Sequence, residues 1–280
     1  MAFIDALLGQ RFMQYAVLGI ALASLASGLV GPFVVVRRIG YLAGGVAHAV
    51  LGGMGVAWYF GGDPMAGALI ASLVAALVIG WVHLHLRAHE DMLISALWSG
   101  GMAVGILFIS QTDGYRADLL GYLFGNILLV SDAQLWLMVA LDVAMAVVIL
   151  LFYRQLVAVC FDAEFARLRG LNVTFFYLLL LCLVALTVVI LVQIVGLILL
   201  VALLSLPAAI AGQWARSLGA IMALSTVVAA GSGYAGLAIA WGPDWPAGAT
   251  IVLTLGGLYV LSLLGHALVG LRGRPGSAAV

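Results

Sequence analysis

The sequence predicts an all-α, polytopic membrane bundle of eight or nine transmembrane helices with one short cytoplasmic helix between spans. Three observations carry this. The chain is 66% hydrophobic and 8% charged over 280 residues. A soluble domain of that length cannot hide so much apolar surface, so its solvent is lipid. Apolar runs of about 20 residues, the length that crosses a bilayer, recur along the whole chain. The one long polar interruption in mid-chain is 154–172.

The first run, 13–36, ends at Arg37-Arg38. The second, 41–60, holds Gly44, Gly45, Ala47, Ala49, Gly52, Gly53 and Gly55. In lipid, small residues let helix backbones approach closely, a main source of helix affinity there. Asp63-Pro64 breaks the chain before the third run, 65–86, and Arg87 to Asp91 break it before the fourth, 92–110. The segment from Asp113 to Asp118 leads into a semi-apolar stretch, 119–131, readable as a connector or as a short helix dipping into the outer leaflet. The fifth run is 133–153. The apolar block 173–213 has 41 residues, or ~60 Å as one helix. That is too long for a single crossing, so it divides near Gln193 and Gly196 into 173–192 and 194–213, with a re-entrant half as the alternative. The last runs, 218–240 and 247–268, flank Pro243 to Pro246. Residues 1–270 form one transmembrane domain, and 271–280 read as a short flexible tail.

Arginine placement gives the orientation. With nine spans and the amino terminus outside, nine of the eleven arginines face the cytoplasm: Arg37, Arg38, Arg87, Arg154, Arg167, Arg169, Arg216, Arg272 and Arg274. Arg11 and Arg116 face out. This is the positive-inside pattern; it puts 154–172 and the carboxyl terminus in the cytoplasm. All eleven cations are arginine. A P-loop needs a lysine on the nucleotide phosphates, so no Walker-type ATPase is encoded. No basic tract suggests nucleic acid. The amino terminus lacks the pattern of a cleaved signal peptide. Cys160 and Cys182 lack metal-ligand spacing and read as small apolar fillers.

His48 is the sharpest chemical candidate. Gly44 and Gly52 lie one turn to either side on its helix face, leaving a notch wide enough for a cation or a partner helix. An ionisable side chain in a span is a functional hypothesis by default, and imidazole suits borderline transition metals. A histidine hydrogen-bonded across a helix interface is the other reading. Asp142, in the fifth span, calls for a partner, a wet cavity or an ion, because an unpaired carboxylate there costs at least ~2.5 kcal/mol. By helix rise it lies within roughly 6 Å of His48 in depth. A hydrogen bond to a neighbouring serine or backbone group is the preferred reading for it. His83, His85 and His89, with Glu90 and Asp91, sit at the end of the third span and read as an interfacial belt, as does His266.

Taken together these segments resemble the integral membrane subunit of ABC-type zinc/manganese/iron uptake transporters. The likeness runs from Phe12-Met13 to about Leu253. Its pieces are Val36-Arg37-Arg38, Ala47-His48-Ala49 with Gly52-Gly53, Glu90-Asp91, Leu97-Trp98 through Ala103, Asp118 through Leu128, Phe161-Asp162 to Leu171, Val195-Gly196-Leu197 to Ala209, and Pro246 to Val252. Order and spacing together make it specific. The resemblance implies a homodimeric permease in a prokaryotic cell (inner) membrane, with the path at the subunit interface. It also implies two separate ATP-binding cassette subunits in the cytoplasm and an extracytoplasmic metal-binding protein. A divalent metal, zinc or manganese, passes transiently, and no cofactor is held.

The family's coupling helix falls on Asp162 to Leu171, with Phe161, Asp162, Glu164, Phe165, Arg167 and Gly170 as its contact residues. Phe161, Phe165 and Leu168 form one apolar stripe at i, i+4 and i+7, suited to a groove on the ATPase. Asp118, Tyr122, Phe124, Gly125 and Asn126 are its expected outer loop or gate. Family members commonly carry Asp four residues before the intramembrane histidine; here that position is Gly44. Loss of this carboxylate should weaken binding of manganese more than of zinc. Three other classes make different demands on the chain. A secondary transporter coupled through Asp142 would need no ATPase. A permease for cobalamin or a metal chelate would need a wide apolar pore and no metal ligand. A membrane enzyme has no catalytic constellation to support it.

Overall fold

The computed structural model describes residues 3, 7, 9–86, 90–112, 125 and 127–272. Among these the chain is helical, with no strand: α1 (Arg11–Arg37), α2 (Gly40–Tyr59), α3 (Pro64–His85), α4 (Glu90–Ser110), a 3-10 turn at Ile127–Leu129, α5 (Asp132–Phe161), α6 (Ala163–Leu168), α7 (Val173–Trp214), α8 (Leu218–Trp241) and α9 (Ala247–Arg272). Eight helices are long and apolar enough to cross a membrane, and Leu200–Trp214 forms a shorter apolar helix.

The breaks fall where the sequence supplies caps. Asp63 accepts from the Met65 and Ala66 amides, with Pro64 at the first helical position of α3. Ser131 and Gln134 form a reciprocal capping box on α5. Asp162, Asn172 and Ser217 cap α6, α7 and α8. Each such cap contributes roughly 1 kcal/mol. In lipid it also satisfies amides that would otherwise have no partner.

Consecutive helices alternate in direction. At one end Arg37 lies over the Tyr177 ring at 5.5 Å and His83 stacks on the same ring. At the other end Phe12 stacks on Trp241, and Gln193 reaches Met65. The carboxyl-terminal ends of α1, α3 and α5 thus share one side of the bundle, the side that carries Arg37 and Arg154.

The 41-residue apolar block forms the two limbs of α7, one up to Leu197 and one from Leu200, joined across a break. Gly196 adopts φ 74° and ψ 179°. Contacts along α1 show what this does. Tyr177 sits at the level of Arg37 and Ile194 at the level of Gly19; beyond Gly196, Leu204 and Ala208 pack on Gly31. The second limb therefore runs back along α1 toward the arginine-rich end, where Trp214 meets Ser262 and His266. The expected division near Gly196 is present as a reversal, and the second limb is too short to rank with the eight long helices.

Gly125 sits on the tip of this hairpin. A Cβ there would come within 2.5 Å of the Gly196 nitrogen and 2.7 Å of the Ile194 carbonyl, and Gly125 itself has φ 73°. Beside it the 3-10 turn packs on α1 and α7, burying Ile127 and Val130.

Because Gly196 lies in the left-handed region and touches a second backbone, Gly196→Val should lower the melting temperature of the detergent-purified protein by the equivalent of about 1–3 kcal/mol. Gly256→Val, whose added Cβ meets nothing within 4 Å, should leave it unchanged in the same fluorescence melting assay.

Candidate functional site

The face of α2 that carries His48 is built of glycine, and α4 lies directly on it. A Cβ on Gly101 would sit 2.6 Å from the His48 carbonyl oxygen, and one on Gly105 would sit 2.8 Å from that of Leu51. Gly52 and Gly55 face the same two glycines from the α2 side. Without side chains between them the two backbones meet. Gly53 and Gly67 repeat the arrangement between α2 and α3.

The notch expected beside His48 is therefore filled from within the chain. Trp98 of α4 stacks on the imidazole with ring centroids 4.5 Å apart and planes 23° from parallel. A Cβ on Gly44 would lie 2.5 Å from Trp98 Cζ3. The indole occupies the space that an aspartate at 44 would need. Tyr41 stacks on the far side of the indole at 5.8 Å, and its hydroxyl bonds Ser95 Oγ at 2.8 Å. His48, Trp98 and Tyr41 form one aromatic row from the buried interior to an exposed tyrosine.

The hydrogen bonding of His48 sets its tautomer. Nδ1 lies 2.9 Å from the Gly44 carbonyl oxygen, one turn back on its own helix. A carbonyl only accepts, so Nδ1 carries the proton, and in the neutral ring the lone pair is on Nε2. Nε2 makes no hydrogen bond among the described residues, and the side chain keeps 6% of its surface. A ring nitrogen donating to a backbone carbonyl while the other stays open is the usual posture of a metal-binding histidine.

Asp142 is brought elsewhere. It is 2% exposed, on the face of α5 that packs against α1 and α7, and neither carboxylate oxygen has a hydrogen-bond partner. The expected bond to a serine or backbone group is not made. One turn away, the Thr187 hydroxyl bonds its own helix at Leu183 and reaches Met145 Sδ. His48 turns instead to α4, and no hydrogen bond joins the two residues. Among the described residues no group of three or more His, Cys, Asp or Glu could hold a metal ion. His83 stacks on Tyr177, His85 bonds the Trp81 carbonyl and stacks on that indole, and His266 meets Trp214 edge-on. His89 lies outside the described residues, as do Asp118, Tyr122, Phe124 and Asn126 of the expected gate.

The cytoplasmic helix expected between spans is shorter than the polar stretch suggested. Residues 154–161 continue α5, which bends at Phe152. Asp162, extended at φ −146°, ends α5 and caps α6, taking the Phe165 amide at 2.9 Å. Gly170 then turns the chain at φ 79° toward Asn172. Ala166 is buried and anchors the short helix, whereas Phe161, Phe165 and Leu168 are 64, 50 and 87% exposed. Glu164 and Arg167 are exposed too. Among the described residues the stripe is thus presented outward, with only the Arg169 guanidinium lying over the Phe165 ring.

Sequence reasoning missed the role of Trp98 and of Gly101 and Gly105. The glycine pair four residues apart in the fourth span was the available signal for a close helix crossing.

Comparison with known proteins follows this geometry. The sequence profile of the ABC 3 transport family matches residues 9–266. An uncharacterized membrane protein of Synechocystis sp. is 44% identical over 253 residues, covering 90% of each chain. The manganese transport system membrane protein MntC of Halalkalibacterium halodurans is 33% identical, covering 93% of this chain and 89% of that one. Among solved structures, PsaBC from Streptococcus pneumoniae in complex with Fab superposes with a TM-score of 0.85 at 33% identity, covering 93% of this chain and 94% of that chain.

Since the Trp98 indole fills the volume next to Gly44, Gly44→Asp alone should destabilise the protein by about 1–3 kcal/mol through overpacking. Adding Trp98→Ala should return most of that loss, read as recovery of the melting temperature in detergent.

Proposed function

The chain belongs to the ABC 3 transport family, and on that premise we propose that it is the membrane permease subunit of an ATP-driven importer of a divalent transition metal ion, with zinc preferred over manganese. The observation that carries this reading is His48: a buried imidazole, oriented by the Gly44 carbonyl and the Trp98 ring, with Nε2 left without a hydrogen bond among the described residues. One nitrogen ligand per chain suits a transport site, which must release what it binds; a closed four-ligand set would retain it. No carboxylate stands at position 44, and the indole occupies its place. A site built on imidazole without a hard oxygen favours zinc over manganese. Names carried by relatives, such as the manganese transport system of Halalkalibacterium halodurans, support a divalent metal as cargo.

The chain supplies no motor. An ATP-binding cassette subunit would dock on Phe161, Phe165 and Leu168, with Asp162, Glu164, Arg167 and Gly170 setting the shape and charge of the contact. An extracytoplasmic metal-binding protein would deliver the ion at the far end, where Gly125 rests on the α7 hairpin and Asp118, Tyr122, Phe124 and Asn126 belong to the gate. Two copies would bring their His48 residues toward a shared path. Asp142, enclosed away from His48, is assigned no part in it.

In vesicles holding the full complex, His48→Ala should cut uptake of radioactive zinc by roughly tenfold or more, the scale of loss at a tuned metal site. Undiminished uptake would remove His48 from the path. Leu168→Glu places a charge in the exposed stripe and should abolish both co-purification of the ATPase subunit and uptake, while zinc binding to the permease persists. An Leu168→Glu complex that still assembles and transports would refute the docking assignment.

A further inference from the structure

A second feature at the arginine-rich end is unrelated to the ion path. Between the last turns of α5 and the short helix α6 lies an open cavity lined by Arg154, Gln155, Ala158, Phe165, Arg169 and Leu171, among others. It contains two guanidinium groups and no carboxylate. Among the described residues Arg154 forms no ion pair or hydrogen bond, and Arg169 only stacks over the Phe165 ring at 4.9 Å. Of the two acids nearby in sequence, Asp162 has turned one oxygen to the Phe165 amide and Glu164 does not line the cavity. The cavity is therefore cationic, with the Gln155 amide as a further donor and an apolar wall of Phe165 and Leu171.

The surface that runs into this cavity says what it takes. On α5, Val143, Val147 and Leu151 recur at steps of four residues, one face of the helix up to its bend at Phe152, and Arg154 and Ala158 line the cavity just beyond that bend. Val143, Val147 and Leu151 are all exposed, Leu151 at 68%, and Leu150 beside it at 77%. This is an unbroken apolar stripe on one of the least buried candidate spans of the bundle. It ends at Leu151, next to the bend at Phe152 that leads to Arg154. Hydrocarbon along the stripe would deliver a headgroup to the two arginines. A carboxylate on a cytoplasmic partner would explain the arginines but not the stripe leading to them.

We propose that the cavity between α5 and α6 binds the phosphate of an anionic phospholipid whose acyl chains lie along Val143, Val147 and Leu151. Arg154 and Arg169 hold the phosphate oxygens from two sides, geometry that planar guanidinium groups favour. Gln155 donates to the same group. Basic pockets between helices at the cytoplasmic surface are recognised sites for anionic headgroups. The lipid would then touch both the end of a long span and the base of the short helix that follows it.

The test uses the full chain in nanodiscs of phosphatidylcholine doped with photoactivatable phosphatidylglycerol or photoactivatable phosphatidylcholine. Cross-linked peptides are mapped by mass spectrometry. The expected result is labelling of 143–158 and 165–171 by phosphatidylglycerol well above phosphatidylcholine. That labelling should fall about fivefold for Arg154→Gln and again for Arg169→Gln, the effect of one cationic contact each; Arg154→Lys should retain most of it. Equal labelling by the two lipids in the wild-type chain overturns the proposal and needs no variant. So does displacement of the label by millimolar inorganic phosphate, which would make the cavity a free-anion site. Loss of the label only on adding the ATPase subunit would assign the arginines to a protein acid instead and would equally overturn it.

Discussion

Helices in lipid cannot be held together by expelling water, because the surroundings are as apolar as the side chains. They adhere by fitting closely, and glycine allows the closest fit. Everything distinctive about this chain follows from where that rule is applied most strictly, at the crossing of α2 and α4. Gly52 and Gly55 on one helix meet Gly101 and Gly105 on the other, so the carbonyls of His48 and Leu51 touch the opposite backbone. The approach is what carries Trp98 onto the His48 ring. A crossing widened by a few ångströms would leave the imidazole facing an open gap.

The same closeness reshapes the chemistry. Trp98 takes the volume beside Gly44, so the position four residues before His48 can bear neither a carboxylate nor any other side chain without moving the indole. The backbone compensates in part. With no side chain at 44 to compete, the Gly44 carbonyl accepts a hydrogen bond from Nδ1–H and so favours the tautomer whose lone pair is on Nε2. A pair of side chains has been replaced by a side chain and a carbonyl. The resulting site has less negative charge, a difference that bears on hard cations more than on borderline ones.

Much of the fold was legible because the bilayer imposes one period and one length on every span. Hydrophobic runs, arginine placement and breaks such as Asp63-Pro64 gave the helices and their alternation. The 173–213 block was harder. Its length required a turn, but only Gly196 itself, with its φ of 74°, shows how the chain reverses. The polar stretch 154–172 was read as one helix because its amphipathic spacing continues past Asp162. Its φ of −146° divides it, since a side chain capping the Phe165 amide also stops the helix before it. Least legible was the site. His48 stands out in any reading of the chain, yet what faces it depends on the register between two helices about 50 residues apart. Glycines constrain that register only through the partner they meet. Asp142 illustrates the converse: its depth matched that of His48, but depth carries no information about the face, and the two turn to different neighbours.

That difference of face has a consequence for how movement at one end can reach the other. α6 is too short to be stable alone, since isolated helices need more than a dozen residues. It is held by the Asp162 and Asn172 caps at its two flanks and by the burial of Ala166. Its position is therefore set by α5 on one side and α7 on the other. α7 in turn packs along α1 with both limbs and ends its first limb at Gly196, under Gly125. A push on α6 has two rigid outlets. One is α5, which carries Asp142; the other is α7, which also packs on α2, the helix of His48. Only the second leads both to His48 and to the far end of the bundle. A displacement that reaches both at once must travel through α7, whose backbone already leaves helical geometry at the glycine of its hairpin.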